Sequence, residues 1–190
     1  MLAFLVQQSS CNKNCVETTY SFELPVKGYP ANDTVSIGDS IWIEINSKTE
    51  LEDKATNKTI NYSGAANLGS AISFSLWDSL NNKWKDAAND FKFTLLKGVN
   101  TNNSNINLVR EYLFSEEGGF YLFKLALIPQ KKGLYSYLLS NSNNIYRVND
   151  KCTKANFRIV FRNTNQHYYL SPFYIGQTNL EGGDYYFKVK

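Results

Sequence analysis

The chain has 190 residues, of which 43% are hydrophobic and 19% charged, and carries a formal net charge of +3. Such a length and apolar content support one packed core and exclude a disordered chain. A net charge this small, with the basic residues scattered, excludes a surface built for nucleic acid.

The chain opens on an apolar run, Met1 to Val6, followed by Gln7, Gln8, Ser9, Ser10 and Cys11. An apolar stretch, small residues and then cysteine is how a bacterial lipoprotein signal ends. The thiol takes a diacylglycerol group, and the cysteine becomes the mature N-terminus. Cys11 is therefore the expected lipidation site, with residues 1–15 as signal remnant and tether and 16–190 as one folded domain. Two features depart from the pattern. Gln8 stands where an aliphatic residue is usual, and no Lys or Arg precedes Cys11. A start codon assigned too late would account for the second. The apolar run is also shorter than the roughly 7–15 residues of a full signal core, and the alternative is a short buried strand with an ordinary cysteine.

Past Cys15, Val16, Thr18, Tyr20, Phe22 and Leu24 share one parity, which predicts a first strand ended by Pro25. Tyr29 to Asp33 reads as a turn. Two short strands broken by Gly38-Asp39 follow; in the second, Ile41, Ile43 and Ile45 face one way, and Ser40, Trp42 and Glu44 the other. Residues 47–70 read as a long polar excursion, with a short strand or helical turn near Leu51 to Ala55. Ile72, Phe74 and Leu76 mark another strand, and Asn81 to Asn89 a turn or short helix around Trp84. Strands are expected at Phe91 to Leu96 and Leu108 to Phe114, with an Asn-rich loop between them. Phe120 to Ile128 reads as a central strand buried on both faces, and Leu134 to Leu139 as its hairpin partner. Asn141 to Asn144 reads as a loop, and Phe157 to Phe161, Tyr168 to Tyr174 and Tyr185 to Val189 as the last strands.

No helical period runs beyond about two turns, and aromatics make up 15% of the chain, with Asn-rich turns between the apolar runs. The fold class is thus all-β, an antiparallel β-sandwich of Ig-like or related Greek-key topology with at most short helices. Three cysteines leave one thiol over after a single disulfide. The count closes if Cys11 is lipidated and Cys15 pairs with Cys152; three reduced structural cysteines are the alternative.

The Cys11–Cys15 segment, the Ala31–Ile45 block and Lys151-Cys152 leading into Phe157–Phe161 resemble uncharacterised lipoproteins of Bacteroidota-type bacteria. The resemblance spans nearly the whole chain and implies export and an envelope location, in the outer membrane or at the cell surface, with no known activity. It also implies possible O-glycosylation at Thr34, Ser40 and Ser79, each lying between Asp and an apolar residue. Asp-Ser and Asp-Thr are equally ordinary turn-to-strand pairs.

Few residues in the chain point to chemistry. The single histidine, His167, sits in a loop-like run and reads as exposed, and no nucleophile-elbow motif occurs. No metal-ligand spacing and no phosphate-cradling Gly loop is present, so no metal or cofactor is expected. Glu116-Glu117 is an adjacent carboxylate pair and reads as a polar hairpin turn. No catalytic residue is assigned. Trp42, on the strand face opposite the isoleucines, and Trp84, in a polar run, are candidates for exposed sugar-stacking aromatics; the alternative is that the tryptophans are partly buried. The expectation is a non-enzymatic, lipid-anchored envelope protein with a structural or interaction role. A surface glycan-binding module is the alternative, with a glycan or another envelope protein as possible partner.

Overall fold

A computed structural model describes residues 15–101, 109–176 and 183–190. Cys11 and the apolar run before it lie outside these residues. The strands, in chain order, are β1 (Thr18–Tyr29), β2 (Thr34–Val35), β3 (Ile41–Lys48), β4 (Glu50–Asp53), β5 (Lys58–Asn61) and β6 (Gly69–Asp78). They continue as β7 (Lys83–Asp86), β8 (Phe91–Lys97), β9 (Val99–Asn100), β10 (Val109–Leu113) and β11 (Ser115–Glu117). The last are β12 (Phe120–Pro129), β13 (Gly133–Leu139), β14 (Ser142–Arg147), β15 (Asp150–Phe161) and β16 (Asp184–Val189). Single 3-10 turns at Ala88–Asp90 and Tyr168–Leu170 are the helical elements among the described residues.

Two seven-stranded sheets pack face to face as an all-β sandwich. The first runs β11-β12-β3-β1-β15-β14, with β8 beside β11 along the same edge of β12. The second runs β2-β16-β13-β6-β10-β9, with β7 also on β6. β4 and β5 form a separate hairpin. Period-two alternation decides what faces the core. The first sheet contributes Phe22, Leu24, Ile41, Ile43, Ile45, Tyr121, Phe123, Leu125, Leu127, Phe157 and Ile159; the second contributes Ile72, Phe74, Tyr112, Tyr135, Tyr137, Tyr185 and Phe187. All belong to one continuous buried cluster.

The sheets are antiparallel except for two pairings, β1 with β15 and β2 with β16. The first exception positions the cysteines. In the parallel register Thr18 lies opposite Thr153, so both strands start at the same end of the sheet. Cys15 and Cys152 meet there with Cα atoms 5.7 Å apart and form a disulfide. An antiparallel β15 would have carried Cys152 to the far end of β1.

Several expectations change on contact with the structure. β1 does not end at Pro25 but continues to Tyr29. The Ser21 amide and carbonyl bond to Asp53 and Lys54, away from β15. The two-residue alternation turns the proline nitrogen to that same side, beyond β4 and just before β3 begins pairing at Val26. The polar excursion holds the β4–β5 hairpin and buries Leu51, Tyr62 and Leu68. Trp84 lies on a strand, β7, paired with Trp77. β12 is central but one-sided: Leu122 and Lys124 on its outer face are half-buried. β13 is not its hairpin partner, because the Pro129–Gly133 connection carries the chain across to the other sheet. Asn141 to Asn144 feeds β14 rather than a loop, and Tyr168 to Tyr174 forms a 3-10 turn and coil instead of a strand.

Candidate functional site

The two tryptophans singled out by sequence lie on opposite outer faces of the sandwich. Trp84 on β7 faces away from the core beside Trp77, with ring centroids 5.4 Å apart at 63°. Tyr186 joins Trp84 at 53°, Tyr168 joins Tyr186 at 56°, and Phe173 meets Trp77 at 89°. Rings so tilted pack edge against face. They shield one another and anchor the segment after β15 onto the second sheet; Phe173 at its rim remains 58% exposed.

Trp42 is placed differently. Its cross-strand partner on β1 is Tyr29, and the two rings are nearly parallel, 18° apart with centroids separated by 6.2 Å. Its partner on β12 is Ala126. Ala126 lies on the solvent side of the sheet, yet is only 2% exposed. In the next row of the same face, Glu44 stands between Lys27 and Lys124. The Tyr29 hydroxyl donates to Glu44 Oε2 at 2.8 Å, and Lys124 Nζ is 3.6 Å from that oxygen. The ammonium also lies 5.3 Å from the Trp42 ring centroid and 5.7 Å from that of Tyr29, within cation–π range. Its contact with Tyr29, together with the Glu44 charge, raises the Lys124 pKa, while burial raises that of Tyr29. Beside this group, Pro25, Lys27, Glu44 and Asn46 line a cleft of about 270 Å³.

The remaining sequence-derived sites resolve individually. His167 is not an exposed loop residue; it is 2% exposed and held at a left-handed φ of 52°. Its Nδ1 is 3.4 Å from the Tyr169 hydroxyl, which donates to Asp33 Oδ2 at 2.8 Å. With that hydroxyl proton committed to Asp33, Nδ1–H is the donor toward Tyr169, and Nε2 is left buried with no partner among the described residues. Burial lowers the His167 pKa, with Asp33 opposing. Glu116 accepts from the Ser63 hydroxyl and from the Gly64 amide, and Glu117 pairs with Lys97 at 2.8 Å. Both carboxylates tie hairpins together. Ser79 is exposed in the turn after β6, where Asp78 accepts from the Leu80 and Asn81 amides. Thr34 and Ser40 are half-buried, and the Thr34 hydroxyl is bonded to Asp33. Among the described residues, no three His, Cys, Asp or Glu side chains gather as metal ligands.

Sequence reasoning missed Tyr29, placed in a turn, and Lys124, placed inside a strand buried on both faces. The signal for Lys124 was its charge within an apolar run, which demands one wet face. No family model matches the chain, and no curated protein matches it in sequence.

Proposed function

We propose that this is an exported, non-enzymatic envelope protein, held to a membrane by a lipid on Cys11 and serving an interaction role outside the cytoplasm. The observation that carries the reading is the Cys15–Cys152 bridge, spanning 137 residues. Disulfides persist in oxidising compartments and are rare in reduced cytosol. With two of the three cysteines joined, Cys11 is left for separate chemistry, four residues before the bridge and directly after two serines. The non-enzymatic part rests on the titratable groups: His167 is locked in the packed interior, and Glu116 and Glu117 are each bound to structural partners.

β1 and β15 both run away from the bridge. At ~3.3 Å per residue, Tyr29 therefore lies about 36 Å along β1 from Thr18. A lipid on Cys11 would put the membrane at the disulfide end and the Tyr29–Trp42 face well away from it. The test is fractionation of the full chain expressed in a bacterial host that processes lipoproteins. The wild type should partition with membranes and release into detergent; Cys11→Ala should appear in the soluble fraction. Equal partitioning of the two would overturn the anchor.

A further inference from the structure

The outer face of the first sheet carries a combination that structural packing alone does not require. Tyr29 and Trp42, each half-buried on neighbouring strands, stack near-parallel with the Lys124 ammonium over both rings, and this pair forms the aromatic ledge. Flat rings of this kind match the apolar C–H face of a pyranose, and their polar edges tolerate its hydroxyls. The cleft beside the ledge is walled by Pro25, Lys27, Glu44 and Asn46, an apolar ring among polar side chains. Within it the charges are unequally satisfied. The Glu44 carboxylate already has the Tyr29 hydroxyl and the Lys124 ammonium. Lys27, its other cross-strand neighbour, is exposed and makes no ion pair among the described residues. One ammonium is left over, facing the cleft next to the ledge.

The second tryptophan face lacks these features. Its rings cross at 53–89° and cover one another, leaving no shared plane for a sugar ring.

We propose that Tyr29, Trp42, Lys27, Glu44, Asn46 and Lys124 form a binding site for an acidic glycan, a pyranose chain bearing carboxylates. The ledge stacks on one sugar ring. Lys27 meets the carboxylate of that ring or its neighbour, and Asn46 and the Glu44 oxygens take hydroxyls. This names the ligand class for the interaction role proposed above, and it does not depend on the lipid, since the site is formed by the folded sandwich itself.

The experiment is affinity electrophoresis of the purified full chain in native gels containing polygalacturonate, alginate or hyaluronan, with dextran as the neutral control. At least one acidic gel should retard the wild type and dextran should not. Trp42→Ala should weaken the apparent affinity roughly tenfold, the loss expected for one stacking aromatic at the centre of a site. Trp84→Ala should change nothing. Because Trp42→Ala leaves the net charge unchanged, retardation that persists in this variant would mean plain attraction of a cationic protein to a polyanion, and would overturn the proposal. So would the absence of retardation in all three acidic gels. If Trp42→Ala does not fold, Lys27→Gln at its exposed position serves in its place; it should lose affinity several-fold more than Lys83→Gln, an equal charge change at an exposed position on the other sheet. Membrane fractionation reads the anchor separately, so either idea can fail without the other.

Discussion

A buried tyrosine carries a hydroxyl into the core, and that hydroxyl has to find a partner or cost stability. Five tyrosines here are less than 2% exposed. Tyr62 donates toward the carbonyls of Ile145 and Thr153, Tyr121 to that of Tyr62, Tyr135 to that of Lys131 and Tyr185 to that of Pro30. Tyr137, stacked on Tyr185 at 20°, has no partner for its hydroxyl among the described residues. The same substitution should therefore act with opposite sign at two sites. Tyr62→Phe takes the hydroxyl donor from two part-buried carbonyls and should cost about 1–3 kcal/mol, whereas Tyr137→Phe removes an unsatisfied group and should be neutral or gain about 1 kcal/mol. Urea denaturation of the two variants checks this. His167 makes the pH prediction. Its pKa in the fold lies below the ordinary 6.5, so between the two values the unfolded chain binds more protons than the native one. Stability is complete above about 6.5 and declines as pH falls through that window. Chemical denaturation at stepwise pH from 7.5 to 5 should show the decline in the wild type and a flatter profile in His167→Gln. Asp33, whose pKa is lowered mainly by the Tyr169 hydrogen bond, adds a further loss only below its ordinary value of 3.8.

Among the elements, the parallel β1–β15 pair carries the most consequence, since it brings the two cysteines to one end. The 137-residue loop so closed is worth about 4–5 kcal/mol in the chain-entropy account. Reduction, or Cys152→Ala, should therefore lower the Tm by roughly 10 °C for a chain of this size. An unchanged melting curve under reductant would contradict a structural role for the bridge. The core strands were legible in sequence wherever one face is buried and the other wet, as in Ile41–Ile43–Ile45 and Phe22–Leu24. Pairing was not legible. The Pro129–Gly133 segment has the residues of a hairpin turn, yet joins two sheets, because turn chemistry reports a reversal and not which sheet receives the next strand. Pro25 misled for a related reason. It breaks a strand only where its nitrogen faces a partner, and here that side lies between β4 and β3.

The whole molecule is a sandwich whose two outer faces differ. One carries a self-covering aromatic cluster that fastens the segment after β15. The other carries the Tyr29–Trp42 ledge with a charged cleft beside it. The parity of Trp42 was readable from its own strand. Its companions were not, because Tyr29 and Lys124 reach it only through the register of β1 and β12, more than ten residues away in one direction and about eighty in the other. The disulfide, the direction of β1 and β15 and the position of Cys11 suit an anchored protein whose ledge faces away from the membrane. The most direct test of this account is the intact mass of the protein isolated from its native host. It should begin at Cys11, carry a diacylglyceryl group and be two hydrogens lighter than the fully reduced form. A chain retaining Met1, with an unmodified Cys11 and three free thiols, would contradict it.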